Sequence, residues 1–535
     1  MSGAALPAPA VAATPAPPAE MPIPWLGLIA VLLGTFISTL TGRLSTFGLA
    51  DVQGAIHAGF DEGAWITTSF TVAQMLITPI AVWVGSLYGP RRILIIAATV
   101  FALVSALIPF SQNLPTLLVL MFVAGLGSGC FIPLTLSYIL RNMPLRLWAY
   151  GIVLYALNLE LSLNISASLE GWYVDHLSWH WIFWQNVPLA LGMACCLHFG
   201  VRYQPPAPAA MHRDPYGLIS CGLGLALLYA ALDQGNRLDW TSSGLIWGLG
   251  LAGIFMLVAF IIHEKTTPFP WLDFRVVIGR PMPYLLLMIA LLRLTILSTA
   301  YLIPYFLGGV RGFRALQVGD TLIWIAIPQL VICPVAALML RRADPRILAS
   351  IGLCLVGVAC LMVAYTLTPV WGSDQFLLSQ LLQAVGQSFA LSGIVFNGVL
   401  NLRPQDALSF GAMLQIARLF GGEVGQAFVA TTARLREQRA SNLIGQHLHA
   451  GAHNVGERLA TYAHVIQQHG EQPAAAPELL ARIVRLMATT QATIDAFVAV
   501  AGCAGFGLFV LIVLVPAPPR TPASHRPLFR KGAAG

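Results

Sequence analysis

The chain has 535 residues, of which 57% are hydrophobic and only 10% are charged. Soluble domains carry about 25% charged residues, so this composition excludes a large soluble domain and indicates a protein that crosses a membrane many times. The formal net charge is +7, but the basic residues lie in short clusters between apolar runs. That distribution is typical of membrane topology signals and argues against nucleic-acid binding.

The first segment, residues 1–23, consists almost entirely of Ala and Pro, with Glu20 as its one charged residue. This composition predicts a disordered tail. The segment lacks the basic region that opens a secretory signal. We therefore expect the first apolar run to remain in the mature protein.

Fourteen apolar runs follow, each close to the length of about 20 residues that crosses a bilayer. They cover residues 25–47, 64–87, 92–110, 115–139, 148–171, 181–200, 215–233, 243–263, 282–307, 317–340, 347–367, 376–400, 408–433 and 495–516. The sequence therefore predicts an all-α polytopic membrane protein. A basic tail, residues 517–535, follows the last run.

The positions of Lys and Arg predict the orientation of these runs. Most basic residues outside the runs lie in alternate connections, on one side of the predicted membrane: Arg91, Arg92, Arg141, Arg146, Arg202, Arg213, Lys265, Arg275, Arg280, Arg341, Arg342, Arg346, Arg403, Arg520, Arg526, Arg530 and Lys531. The short connections of the other side hold Arg237, Arg311 and Arg314. By the positive-inside rule, both termini are predicted to be cytoplasmic.

A long polar segment, about residues 434–493, separates the last two runs on the predicted external side. Its apolar residues recur at helical spacing, as in Leu459, Tyr462 and Ile466. The stretch 470–477 interrupts the pattern. A connection of this length that forms its own helices is usually functional.

Three stretches carry a resemblance to a known family. Residues 166–188 read SASLEGWYVDHLSWHWIFWQNVP, residues 418–425 read RLFGGEVG, and residues 85–92 read GSLYGPRR. They are similar to the GPxLGGWLVDxxSWRWIFxINVP, RxxGGSxG and GxLxDRxGRR motifs of the major facilitator superfamily, specifically of its 14-span drug:proton antiporters of the EmrB and QacA type. The third stretch departs from its motif, because it lacks the Asp-Arg pair. The resemblance covers about residues 24–516.

The resemblance implies a major facilitator fold with two six-helix bundles, at residues 24–201 and 282–516, and two inserted helices within residues 202–281. It implies a substrate site between the bundles and alternating access by rocking of one bundle against the other. Gly85, Gly89, Arg91 and Arg92 would then form the motif that supports this conformational change.

The resemblance also implies a location in the bacterial inner membrane. The implied partners are the lipid bilayer, protons, a periplasmic membrane-fusion adaptor and an outer-membrane channel. The external segment 434–493 is the expected docking surface for the adaptor.

The chain departs from the family where proton coupling is expected. The first-span Asp of the family is replaced by Thr41, and Met121 and Ala124 stand where the fourth-span motif carries Arg. Proton coupling therefore requires other carboxyl groups. Glu160 is the first candidate, because a carboxyl group in the middle of a span can hold a proton near neutral pH. Glu423, which replaces the Ser of the RxxGGSxG motif, is the second candidate.

Arg43 is the first candidate for substrate binding, because a charge within a span is costly unless it faces a cavity or a partner. It continues a polar stripe that includes Thr39. One interpretation is an anion clamp, since the guanidinium fork suits a carboxylate. The other is an ion pair with Glu160 or Glu423 that only holds the bundle together.

Three further residues complete the predicted substrate site. Asn164 lies one helical turn beyond Glu160. Arg418 lies in the RxxGGSxG motif, where the family usually has Arg even in members that export cations. Arg293 either lines the cavity or extends to the cytoplasmic surface.

Together these features predict an exporter of small amphipathic or aromatic compounds, biased toward organic anions, coupled to proton influx and part of a tripartite efflux system. One alternative is uptake or facilitated exchange of an organic anion, and another is a membrane sensor or scaffold that transports nothing. The sequence contains neither a Walker motif nor a nucleophile–base pair. We therefore predict no enzyme activity, catalytic residue, cofactor or metal site.

Overall fold

The computed structural model describes residues 25–143, 147–201, 215–268, 279, 282–401, 407–448, 453–468 and 475–516. These residues are mainly helical and include no strand. The predicted tails 1–23 and 517–535 lie outside the described residues, as does most of the linkers at 202–214 and 269–281.

Fourteen long helices, labelled α1 to α14, follow one another along the described chain. In order, they are Trp25–Phe47, Phe60–Tyr88, Pro90–Phe110, Leu114–Leu140, Trp148–His176, Trp181–Gly200, Pro215–Leu238, Gly244–Thr266, Met282–Arg311, Ala315–Leu340, Pro345–Thr366, Leu377–Leu400, Ala407–Gln446 and Ala476–Val513. Twelve of them, α1 to α11 and α14, are long and apolar enough to cross a membrane. The chain is therefore a multi-pass membrane protein.

The helices α12 and α13 fall outside that criterion because they carry polar residues along much of their length. In α12, Gln380, Gln383 and Gln387 are all buried, and in α13 Arg418 and Glu423 are buried. These side chains lower the hydropathy of the two helices although both pack inside the protein. The predicted total of fourteen spans thus stays a prediction, while the all-α membrane fold is confirmed.

The segment 434–493 contains the extended ends of two long helices. The helix α13 continues from the predicted span 408–433 to Gln446, and α14 already begins at Ala476. The short helix His453–Gln468 lies between them and packs against α14. The predicted helical character of this segment is therefore correct, but most of its helices continue directly from the predicted membrane spans.

Contacts between helices divide most of the chain into two groups. In the first group, α1 packs on α4, α5 and α6, while α2 packs on α4 and α3 packs on α6. In the second group, α11 packs on α12 and α14, while α13 packs on α9 and α14. The helix α7 lies against α2 and α13, one from each group, and α8 packs on α7.

The helix α10 packs on α12 and so belongs to the second group. The two groups meet most extensively where α10 packs against α5 of the first group. Two glycines allow this close approach. A Cβ atom added to Gly171 would lie 2.4 Å from the backbone nitrogen of Leu316, and one added to Gly319 would lie 2.5 Å from the Cα atom of Ser168. Small residues at such contacts let helices approach within backbone distance.

Candidate functional site

A cavity of about 170 Å³, here called the central cavity, lies where α1, α2, α5, α7, α9 and α13 meet. Most of its lining is polar, although apolar runs supply these helices. Three arginines and two carboxylates border it: Arg43, Arg293, Arg418, Asp233 and Glu423. The other polar lining residues are Ser38, Thr39, Thr46, Thr67, Thr71, Gln74, Tyr229 and Gln426.

Arg43 reaches from α1 to α9. Its Nη2 donates a hydrogen bond of 2.7 Å to the carbonyl oxygen of Ala300, and its guanidinium carbon lies 5.1 Å from the ring centroid of Phe47. The Nε of Arg43 is buried and has no hydrogen-bond partner. Among the described residues, no carboxylate lies within 4.0 Å of this guanidinium, so the alternative of an ion pair with Glu160 or Glu423 is not formed here.

The carbonyl that accepts this bond belongs to an unusual part of α9. Residues Ser298–Leu302 form a π-helical turn between two α-helical stretches. Such turns are rare and occur often at functional sites. The contact between Arg43 and Ala300 thus joins one helix of each group at a local irregularity of α9.

Arg418 is held more tightly than Arg43. Its Nε donates to Oε1 of Gln415 at 3.0 Å, and its Nη1 donates to Oγ1 of Thr39 at 3.2 Å. Because Thr39 belongs to α1 and Arg418 to α13, this bond also joins the two groups. The predicted substrate residues Thr39, Arg43 and Arg418 therefore border the same cavity.

Arg293 also lines the central cavity, so its side chain does not extend to the cytoplasmic surface. Its Nε is buried without a hydrogen-bond partner. The close packing of α9 on α13 depends on Gly421, where an added Cβ atom would lie 2.5 Å from the Cα atom of Ala290. Arg293 is near enough to Arg43 and Arg418 for mutual repulsion and near enough to Glu160 for attraction. An anion in the cavity would add to that attraction.

A second part of the lining is acidic. Glu423 on α13 is only 5% exposed, and its Oε1 has no hydrogen-bond partner. The hydroxyl group of Tyr229 on α7 faces this carboxyl group. Asp233, one turn further along α7, accepts hydrogen bonds from the hydroxyl group of Thr68 and from Nε2 of Gln234, the latter at 3.0 Å.

The sequence did not single out Tyr229 or Asp233. The predicted span ended at residue 233, and the helix α7 was assigned to the inserted pair outside the two bundles. A signal was present, because Tyr229 and Asp233 are spaced i, i+4 on one face of an apolar run. Position along the chain does not reveal that α7 packs beside α2 and α13, and this packing gives it access to the cavity.

Glu160 and Asn164 lie elsewhere, at the interface of α5 with α10. Nε2 of Gln329 donates to Oε2 of Glu160 at 2.9 Å, and Nδ2 of Asn164 donates to Oε1 of Gln329 at 3.3 Å. Neither residue borders the central cavity. The structure therefore brings Thr39, Arg43, Arg293, Arg418 and Glu423 together around the central cavity and leaves Glu160 and Asn164 outside its lining, although Glu160 is within electrostatic range of Arg293.

The predicted conformational motif forms the tight connection between α2 and α3. Gly89 has a φ of 87°, a backbone conformation that favours glycine. Nη2 of Arg91 donates to the carbonyl oxygen of His198 in α6. At Gly85, an added Cβ atom would lie 2.6 Å from a methyl carbon of Leu134 in α4. The motif therefore ties the α2–α3 connection to two other helices of its group.

Two helix groups that enclose a polar cavity with buried charges are typical of membrane transporters. The family model of the Major Facilitator Superfamily matches residues 31–427, and the chain belongs to that superfamily. The chain is 29% identical over 418 residues to EmrY of Escherichia coli (strain K12), covering 77% of this chain and 81% of that protein.

Two further relatives are also export or resistance proteins. The multidrug export protein EmrB of Haemophilus influenzae is 24% identical over 420 residues, covering 78% of this chain and 82% of EmrB. The fatty acid resistance protein FarB of Neisseria gonorrhoeae is 23% identical over 444 residues, covering 82% of this chain and 85% of FarB. The chain is thus a divergent EmrB-type member of the superfamily.

A solved structure supports the same fold. The crystal structure of the human organic anion transporter MFSD10 (TETRAN) superposes with a TM-score of 0.56 at 15% identity, covering 92% of this chain and 100% of that chain. At this identity the likeness establishes the fold alone.

Proposed function

We propose that the chain exports small amphipathic compounds, with a preference for aromatic or hydrophobic organic anions, by alternating access. The observation that carries this proposal is the grouping of Arg43, Arg293 and Arg418 around one cavity. Arg43 and Arg293 each keep a buried N–H group without a partner, and such a donor costs about 1–3 kcal/mol. A substrate carboxylate would supply the missing acceptor.

The relatives fit this preference. FarB is named for resistance to fatty acids, which are amphipathic and carry a carboxylate at neutral pH. EmrB is named for multidrug export, which suits a small cavity that also includes hydroxyl and amide groups. A chain related to both would accept compounds that combine an apolar body with an anionic head.

Substrate binding would act directly on the contact between the two helix groups. Arg43 donates to the neutral carbonyl oxygen of Ala300. A carboxylate is a stronger acceptor than a carbonyl group, so a bound anion would draw the guanidinium away from α9. Loss of that contact would weaken one connection between the groups as the cavity fills.

Proton coupling is assigned to Glu423 rather than to Glu160. Glu423 borders the same cavity as the three arginines, whereas Glu160 lies at the α5–α10 interface and does not border it. A charge on Glu423 would therefore interact with a substrate anion across a small, poorly hydrated space, where screening is weak. Proton binding at Glu423 and anion binding in the central cavity would therefore change each other's free energy, which coupled transport requires.

The surroundings of the transporter follow from the charge distribution and from the external helices. The excess of basic residues on one side supports a cytoplasmic location of both termini. The extended ends of α13 and α14, with the helix His453–Gln468, would contact a periplasmic adaptor that leads to an outer-membrane channel. In this arrangement the compound leaves the cell without entering the periplasm.

The test uses the purified full chain and three probes of similar size: anionic 2-naphthoate, neutral 2-naphthamide and cationic 2-naphthylmethylammonium. We expect 2-naphthoate to raise the thermal unfolding temperature most, since a ligand stabilises by RT ln(1 + [L]/Kd). In proteoliposomes, an imposed pH gradient should drive movement of 2-naphthoate against its concentration gradient. Stabilisation by the cation alone would contradict the anion preference. Counterflow of 2-naphthoate at the same rate with and without a pH gradient would instead indicate facilitated exchange.

A further inference from the structure

A second cavity of about 710 Å³, here called the outer cavity, lies beyond the central one on the predicted external side. It is lined by residues of α7, α9, α13 and α14. The first three of these helices also line the central cavity. On each of them, the residues that line the outer cavity follow closely after those that line the central cavity. Asn236 follows Asp233 by one turn in α7, Tyr301 follows Ala300 in α9, and Ala430 follows Gln426 by one turn in α13.

The wall of the outer cavity offers an aromatic surface. The rings of Tyr301 and Tyr305 are stacked, with centroids 5.8 Å apart and an angle of 13° between their planes. Both tyrosines line the cavity and are partly buried. Aromatic rings pack favourably against other flat apolar groups in offset or edge contacts.

The same cavity carries an excess of positive charge. Arg434 on α13 and Arg485 on α14 line it, and Glu437 is the one carboxylate among the described lining residues. Nη1 of Arg434 donates to the carbonyl oxygen of Asn236 at 3.1 Å, which fixes the side chain against α7. The Nε of Arg434 is buried and has no hydrogen-bond partner.

We propose that the outer cavity is a second binding site for the compound, which holds an aromatic carboxylate after it leaves the central cavity. The aromatic body would contact Tyr301 and Tyr305, and the carboxylate would accept from the free N–H of Arg434, with Arg485 adding attraction. This ligand class rests on the proposed function, but the existence of the site rests on the geometry of the outer cavity.

The two sites are separated by the π-helical turn Ser298–Leu302 of α9. Within this turn, the carbonyl oxygen of Ala300 accepts from Arg43 on the side of the central cavity, and the next residue, Tyr301, lines the outer cavity. The outer cavity therefore begins one residue after Ala300, the residue that Arg43 contacts. A compound that displaces Arg43 from Ala300 lies next to the segment that borders its following site.

The proposal is tested by counting binding sites on the purified full chain in detergent, with radiolabelled 2-naphthoate and equilibrium dialysis. We expect two sites in the unmodified protein. Arg434→Gln should weaken one of them about tenfold or more, whereas Arg434→Lys should preserve most of its affinity. Arg43→Gln should weaken the other site and leave the site that depends on Arg434 intact.

Matched variants distinguish a local effect from misfolding. Arg439→Gln changes an exposed arginine of the same helix, which does not line either cavity, and should retain both sites. Tyr305→Phe should retain the outer site because it keeps the ring, whereas Tyr305→Leu should weaken it. The thermal unfolding temperature of each variant without ligand checks that it folds.

Photolabelling locates the ligand without any substitution. Benzophenone-4-carboxylate should label peptides from residues 430–442, and excess 2-naphthoate should prevent this labelling. A single site lost in Arg43→Gln and unaffected by Arg434→Gln would overturn the second site while the proposed function stands. Two sites that both persist when Arg43 is replaced, with the label on residues 430–442, would support the second site and contradict the assigned role of Arg43.

Discussion

The central cavity and the α5–α10 interface both bury carboxyl groups between the two helix groups, but they surround them differently. At the interface, Glu160 accepts from Gln329, which also accepts from Asn164, and neither Glu160 nor Asn164 borders the central cavity. In the central cavity, Glu423 faces open space beside Asp233 and three arginines. Burial alone therefore does not identify a functional carboxyl group, whereas access to a cavity separates the two.

The largest expected effect comes from Glu423→Gln, which removes the titratable group from the central cavity. We expect transport of 2-naphthoate driven by a pH gradient to fall to the level of empty proteoliposomes, because no proton can then be exchanged at this position. Exchange of labelled for unlabelled 2-naphthoate should persist, since glutamine resembles the protonated carboxyl group in shape and charge.

Glu478→Gln is the matched control for that substitution. Glu478 is exposed in the first turn of α14 and should be replaceable without loss of driven transport. If Glu423→Gln retained transport driven by the pH gradient, the proton would have to be carried elsewhere, and the assigned difference between the two regions would fail.

Arg43→Gln should have the next largest effect, on selectivity rather than on coupling. A hydrogen bond to a charged group contributes about 1.5–3 kcal/mol, so affinity of the central cavity for 2-naphthoate should fall about tenfold or more. Affinity for neutral 2-naphthamide should change little. The measurement is displacement of each probe in equilibrium dialysis. An equal loss for both probes would mean that Arg43 only maintains the cavity wall.

Much of the membrane fold was predictable because long apolar runs separated by basic clusters constrain helices strongly. The ends of α13 and α14 were less predictable, since Arg434, Arg436 and Glu437 indicate the end of an apolar run but are good helix formers. A helix can thus continue to Gln446 after it leaves the apolar layer. The sequence indicates where a run stops being apolar, but it does not indicate where the backbone hydrogen bonds of the helix end.

The site residues were predictable only where a charged side chain within an apolar run implied a large free-energy cost of burial. Arg43, Arg293, Arg418 and Glu423 stand out because a charge in an apolar run is expensive, and all four line the central cavity. The same argument ranks Glu160 ahead of Glu423, because the cost of burying a charge does not distinguish a cavity from an interface. That distinction depends on which helix faces which, and a run that is apolar on all sides carries little information on its orientation.

Glu160→Gln should have a smaller effect than Glu423→Gln, although both remove a buried carboxyl group. The amide oxygen of glutamine can still accept from Gln329, so driven transport should remain near the unmodified level. Glu160→Ala should instead lower the free energy of unfolding by about 1–3 kcal/mol, because it leaves a buried polar partner unsatisfied. Chemical unfolding in detergent and transport in proteoliposomes measure the two effects. Loss of driven transport in Glu160→Gln would move proton coupling to the α5–α10 interface.

Asn164→Ala should have the smallest effect. The sequence placed Asn164 in the substrate site, but its amide donates to Gln329 at 3.3 Å and does not border the central cavity. A neutral hydrogen bond of this length contributes about 1 kcal/mol or less. We therefore expect a slight loss of stability and no change in the affinity for 2-naphthoate. A tenfold loss of affinity would show that α5 and α10 separate during the transport cycle and expose Asn164 to the compound. In that case the interface would be a binding surface in another conformation, and the contrast between the two regions would hold for one state of the cycle alone.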